Sequence, residues 1–139
     1  MGTSTCVFCS IVAGDVPAHV VLDEPAAVGF LDAVPLFPGH VLVVPREHHV
    51  TLPDLPSASL QPFFEAVQRV NRAVQDATGS QGIFNGVNNV VSQSVLHLHV
   101  HVVPRTKGDG LRGFFWPRVK YASDEERESY GLRIRQQLG

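Results

Sequence analysis

The sequence is poor in the residues that staple or anchor a chain. Its 139 residues include two cysteines, one methionine and one tryptophan. Two cysteines are too few for a secreted disulfide framework. No apolar run approaches the ~18 residues that a membrane span needs. Neither sign of charge dominates: 11 Lys and Arg face 13 Asp and Glu, for a net charge of −2. That balance excludes a general nucleic-acid coat and a polybasic membrane binder, and leaves room only for a local basic patch. Met1-Gly2-Thr3-Ser4-Thr5 has no charged region leading into an apolar stretch, so no secretory signal and a cytoplasmic location are expected. No repeat, low-complexity tract or linker interrupts the chain. Apolar residues are plentiful at 44%, enough for a core that buries roughly two thirds of the unfolded surface. The expectation is one domain, 1–139, with a core over about 6–117 and a C-terminal segment 118–139. Histidine is the other surplus: there are seven, concentrated in the windows 40–49 and 97–101.

The periodicities are mixed. Phe8, Ile11 and Val12 stand at helical spacing, and Gly14 can stop that short helix. His19–Leu22 and Ala26–Asp32 read as strands joined by a turn at Asp23-Glu24-Pro25. Two prolines make 34–39 a loop. His40–Val44, ended by Pro45, is apolar on both faces and reads as a central strand. Leu60, Phe63, Phe64, Val67, Val70, Val74 and Ala77 form one stripe of a long helix, with Ser59 as N-cap, Pro62 in the first turn and Gly79 after its end. Gly82–Val87 and Val95–Val103 read as two further strands, and Ser123-Asp124-Glu125-Glu126 as a capping box opening a C-terminal helix. The sum is an α+β fold on a five-stranded antiparallel sheet, with one long and one or two short helices.

The strongest signal is Leu96-His97-Leu98-His99-Val100-His101-Val102. Side chains alternate along a strand, so the three histidines share one face and Leu96, Leu98, Val100 and Val102 the other. Three readings compete: hydrogen-bonded sheet histidines, a three-histidine metal site, and catalysis. Three imidazoles along one strand rarely converge on one ion. Neutral imidazole is nucleophilic near pH 7, and its neighbours can orient it or hold an anion.

The pattern His97-x-His99-x-His101-x-x, with Ser92-Gln93-Ser94-Val95 before it, resembles the histidine-triad (HIT) superfamily. Phe30-Leu31-Asp32 and Pro38-Gly39-His40-Val41-Leu42-Val43-Val44-Pro45 look like its other landmarks. The resemblance implies a HIT-like fold and a homodimer in which two sheets join into one of ten strands. It implies a nucleotide-binding hydrolase that cleaves a nucleoside monophosphate, AMP or GMP, from a phosphoramidate or ester leaving group. His99 would be the nucleophile, forming a covalent nucleotidyl-histidine. His101, Gln93 and Ser94 would meet the phosphate or the leaving group, with His40 lining the same pocket. Asp32 would bind the ribose hydroxyls, against the plainer role of a turn former. Phe8, Ile11, Phe30 and Ala33 would form the base slot, a role that overlaps with ordinary core. Asn85 and Asn88 are both candidates for a phosphate-contacting asparagine, or are turn residues. Ser92 stands where the family usually has glycine. His19 and His49 are left as surface residues.

Cys6-Val7-Phe8-Cys9 is too short a loop for a stabilising disulfide, and no βαβ context marks it as a thioredoxin-like pair. Free thiols remain one possibility. The resemblance implies the other: a structural Zn2+ held by Cys6, Cys9, His48 and His97, with His49 as a substitute for His48. All four ligand positions would then be protein, so the zinc would tie the N-terminal helix to the triad without activating water. Arg105, Lys107, Arg112, Arg118 and Lys120 cluster around Asp109, as a solvated rim or as an attractor for phosphate-rich groups. Phe114-Phe115-Trp116-Pro117 is too apolar to stand in water and should pack on its own sheet or on a partner subunit. The implied partners are a purine nucleotide and a second copy, with no membrane and no nucleic acid. Gln93-Ser94 and the C-x-x-C pair favour the nucleotide-binding branch over the dinucleoside polyphosphate hydrolases. The basic 105–120 segment keeps a dinucleoside polyphosphate hydrolase as the runner-up, and a nucleotidyl transferase and a zinc-stabilised binding module stay open.

Overall fold

The computed structural model describes residues 6–112 and 117–139. The aromatic segment 114–116 and the first five residues lie outside the described part. The chain divides into two compact units, one ending at Asp109 and the other beginning at Gly110.

The first unit is a five-stranded antiparallel sheet. Its elements are α1 (Val7–Ala13), β1 (Val20–Asp23), β2 (Ala27–Leu31), β3 (Val41–Pro45), a 3-10 turn (Leu52–Asp54), α2 (Ser57–Thr78), β4 (Gly82–Gly86) and β5 (Val100–Arg105). The strand order is β1-β2-β3-β5-β4, so β3 is central as its two-sided apolarity predicts. Every residue of β3 is buried. Alternation sorts the strands onto two cores. Ala27, Val41, Val43, Val100 and Val102 face α2, which contributes Phe63, Ala66, Val67, Val70 and Val74. Val28, Phe30, Leu42 and Val44 face the other way and meet Phe8 of α1. The long helix therefore seals one face of the sheet and leaves the other for chemistry.

Three expectations need correction. Helix α2 starts at Ser57 after Pro56, not after Ser59, so Pro62 lies inside the helix. Its missing N–H leaves the Ala58 carbonyl without a helical partner, a tolerable loss where both residues are exposed to water. Strand β5 begins at Val100 rather than Val95. The β3–β5 register, Val43↔Val100, would next bring Pro45 opposite Leu98, and proline has no N–H to continue a ladder. Leu98 instead donates its N–H to the His49 carbonyl at 2.7 Å. Leu98 keeps to the α2 core, but Leu96, beyond the ladder, is 57% exposed and does not share it.

Gly39 ends the β2–β3 connection at φ 98°, and a Cβ there would lie 2.7 Å from Thr78 Cγ2 of α2. Only glycine meets both conditions. The chain then runs straight into His40, whose carbonyl accepts from Asp32 N–H at 2.9 Å. One tight turn thus brings Asp32 and His40 to the same end of the sheet.

The second unit carries α3 (Asp124–Leu138). Ser123 Oγ caps it, accepting from Glu126 N–H at 3.1 Å. Glu126 accepts from Ala122 N–H, one residue before the cap residue of a reciprocal box. No residue of α3 is buried.

Two non-glycine residues before the triad have left-handed backbones: Val90 at φ 73° and Ser92 at φ 63°. Ser92 thereby explains why glycine suits that position. For a β-branched residue such as Val90 the conformation is an outlier, and its side chain is mostly exposed. Val90→Asn, which tolerates this conformation, should stabilise the fold by about 1 kcal/mol and raise Tm by roughly 3 °C in calorimetry.

Candidate functional site

The open face of the sheet carries a cleft of about 590 Å³. Phe8, Ile11, Phe30 and Leu42 form its apolar end, while Asp32, Ser94, His99 and His101 bring polar groups to it. Phe8 is the hinge between the two ends. Its ring lies edge-on to Phe30 at 5.2 Å and to His99 at 5.1 Å. Ala33 lines the cleft as well.

Each triad histidine has one nitrogen committed. His99 Nδ1 lies 2.7 Å from the His97 carbonyl, which can only accept, so Nδ1 carries the proton. Nε2 is then the unprotonated, nucleophilic nitrogen. His97 Nε2 lies 2.9 Å from the Pro45 carbonyl, which fixes its proton there and frees Nδ1 as a ligand. The order of protons at His101 is set from further away. Leu36 N–H donates to His40 Nδ1 at 3.1 Å. His40 must therefore carry its proton on Nε2, which faces His101 Nδ1 at 3.0 Å. The Asp32 carboxylate, 3.7 Å from His40 Nε2, favours the same arrangement. His101 Nδ1 accepts, and its own proton sits on Nε2 as a donor.

Burial favours the neutral form of His40, His97 and His101. It pushes His40 below its ordinary range, although Asp32 pulls the other way. Burial lowers His101 to about 4, aided by the neighbouring His99 and His40. Burial also lowers His97 to about 4, against the pull of its bond to Pro45.

Beside the cleft, Cys6, Cys9, His48 and His97 place four ligand atoms within 4.8 Å of one another. Tetrahedral zinc, with bonds of about 2.3 Å to sulfur and 2.0–2.1 Å to nitrogen, requires S···N edges of about 3.6 Å. The observed edges are 3.6 Å for Cys6–His97, 3.5 Å for Cys9–His97 and 3.2 Å for Cys9–His48. The donor set fits zinc in number, type and spacing. Burial and the adjacent Cys6 push the Cys9 thiol up to about 11, so a bound metal would have to displace its proton. His49 is not the substitute: its imidazole turns towards Glu47 at 3.7 Å.

Other expected residues go elsewhere. Asn85 forms a reciprocal amide pair with Asn71 of α2, at 2.9 and 2.8 Å, on the side of the sheet away from the cleft. Asn88 is not among the cleft-lining residues. Gln93 is buried, and its amide is spent on the chain: Oε1 accepts from Val90 N–H at 2.8 Å, and Nε2 donates to the Val50 carbonyl at 2.5 Å. It shapes the loop that presents Ser94. Asp32 Oδ1 accepts from Val34 N–H at 3.0 Å in a local turn, and the residue also lines the cleft. In the basic segment, Arg105 is clamped by both Asp109 oxygens, at 2.6 and 3.1 Å. The residue that sequence reasoning missed is His19, which lines the cleft. The register Val20↔Phe30 puts it across from Leu31, next to Asp32, and no local motif marks that pairing.

Comparison with known proteins adds the following. Residues 13–108 match the HIT domain model. The adenosine 5'-monophosphoramidase hnt1 of Schizosaccharomyces pombe is 28% identical over 87% of this chain and 90% of its own length. A HIT-family crystal structure from Bacillus subtilis is 29% identical and covers 97% of this chain and 98% of its own, with a TM-score of 0.85. A Zn-bound histidine triad family protein from Mycobacterium smegmatis is 35% identical over 96% of this chain and 94% of its own, with a TM-score of 0.74.

The neutral histidines set a pH signature. The folded state holds His101 near 4 while the unfolded chain titrates near 6.5. Between those values the unfolded state binds more protons, so stability falls as pH drops from about 6.5 towards 4. Calorimetric Tm should decline over that window, and His101→Gln should make the decline shallower.

Proposed function

The chain belongs to the HIT family, and from that premise we propose that its cleft binds a purine nucleoside monophosphate and that His99 cleaves it from a phosphoramidate or ester leaving group. The observation that carries this reading is the bond from His99 Nδ1 to the His97 carbonyl, which leaves Nε2 free at the polar end of an apolar slot. The name of the S. pombe relative, a monophosphoramidase, supports the same substrate class.

The base enters between Phe8, Ile11 and Phe30, and Asp32 accepts from the ribose hydroxyls. His99 Nε2 attacks the α-phosphorus, forming a P–N bond as the bond to the leaving group breaks. The leaving group takes a proton from solvent as it departs. Water then attacks the nucleotidyl-histidine, and the nucleotide leaves with His99 restored. His101 Nε2–H donates to the phosphoryl oxygens as charge shifts onto them, held as a donor by the Leu36–His40 chain. Ser94 reaches the same end of the cleft. Gln93 acts by fixing the 90–94 loop rather than by touching the nucleotide.

His99→Ala should lower turnover of an adenosine phosphoramidate by at least on the order of 1,000-fold, while AMP affinity by calorimetry changes only a few-fold. Wild-type turnover in that variant would end the proposal.

We assign Zn2+ to Cys6, Cys9, His48 and His97. With four protein ligands it offers no open position to substrate, and its role is to fix α1 and His97 in place. The thiols suit the reducing cytoplasm. Freshly purified protein should contain about one zinc per chain by plasma mass spectrometry, and below about 0.2 the assignment fails. We place a second copy of the chain along β4, which ends the sheet with no further strand paired to it among the described residues.

A further inference from the structure

We propose that the Cys6/Cys9/His48/His97 cluster is a peroxide-sensitive switch on nucleotide binding: oxidation of the two cysteines to a disulfide expels the metal and unseats both the base slot and the nucleophile. This rests on the zinc assignment above and adds a regulatory role to it.

The pair is arranged to react internally. Cys6 is the N-cap of α1, and its sulfur accepts from Cys9 N–H at 3.4 Å. The sulfurs lie within 4.8 Å of each other. Both cysteines are only half-buried, and Cys6 and His48 line a pocket of about 490 Å³ through which a small oxidant can enter.

Oxidation has somewhere to go mechanically. Cys6 is the N-cap with an extended backbone, and an S–S bond of about 2.05 Å would draw its sulfur onto that of Cys9 and away from the histidines, with Phe8 between the two cysteines. Phe8 touches both Phe30 of the base slot and His99. Helix α1 has seven residues, too few to hold its shape without outside contacts. His97 loses both sulfurs beside its Nδ1, yet its carbonyl is what orients His99.

The chemistry balances with hydrogen peroxide as oxidant. One thiolate attacks a peroxide oxygen, the O–O bond breaks, and a sulfenic acid forms. The second thiolate attacks that sulfur and expels hydroxide as the S–S bond closes. Two electrons pass from sulfur to oxygen, two protons from solvent complete two waters, and Zn2+ leaves to solution.

The test uses the zinc-loaded full chain. Peroxide should release about one zinc per chain to a metallochromic dye, remove two hydrogens mapped by mass spectrometry to Cys6–Cys9, and weaken AMP binding at least tenfold by calorimetry. Dithiothreitol with zinc should restore the affinity. Removing zinc with a chelator under reducing conditions should weaken AMP binding as well, without forming the disulfide. Zinc release with AMP affinity unchanged would overturn the switch and leave the hydrolase reading standing. Thiols and zinc that survive peroxide would overturn it too. Protein that never held zinc would overturn both the switch and the metal assignment.

Discussion

A single hydrogen bond, from His99 Nδ1–H to the His97 carbonyl, decides which nitrogen faces the cleft. Imidazole with the opposite tautomer would present an N–H to the cleft in place of a lone pair. The carbonyl belongs to a residue whose own ring is held twice, by the Pro45 carbonyl and by the cysteine cluster. Pro45 in turn ends the central strand. The His99 ring is therefore oriented by three elements distant in sequence: the end of β3, the start of α1 and the approach to β5. Its side chain is aimed from outside the regular ladder, where the backbone is free to turn its carbonyl sideways.

The two-faced sheet makes this possible. The α2 face takes the bulk of the apolar side chains and supplies most of the stability. The other face has a smaller core, centred on Phe8, Phe30 and Leu42, and the same residues wall the cleft. Cleft wall and core coincide there. A substitution meant to reshape the cleft will also disturb packing, whereas the α2 face lies on the other side of the sheet.

Much of the site was legible because it rests on local chemistry. Alternation put His97, His99 and His101 on one side, and the family resemblance pointed to Cys6 and Cys9 as companions of His48 and His97. His101 and its neighbours kept that alternation into β5. What stayed hidden depends on long-range register and on which backbone groups need partners. The start of β5 is fixed by the absence of an N–H on Pro45, which matters only once β3 and β5 are paired. Gln93 turns to Val50 and Val90 because the left-handed loop leaves those groups unsatisfied. Asn85 faces α2 because β4 is an edge strand whose alternate positions look towards that helix. His19 joins the cleft only through the β1–β2 register.

The relay from Leu36 to His40 to His101 has a property that a string of histidines alone would lack. Identical rings in a row have no intrinsic direction, and each could hand its proton either way. The peptide N–H of Leu36 at one end does not ionise and cannot accept. It acts as a ratchet pawl: every proton downstream must point towards the cleft. A backbone group of no chemical distinction thus gives the site its handedness, and it would go on doing so whatever residue occupied position 36, short of proline.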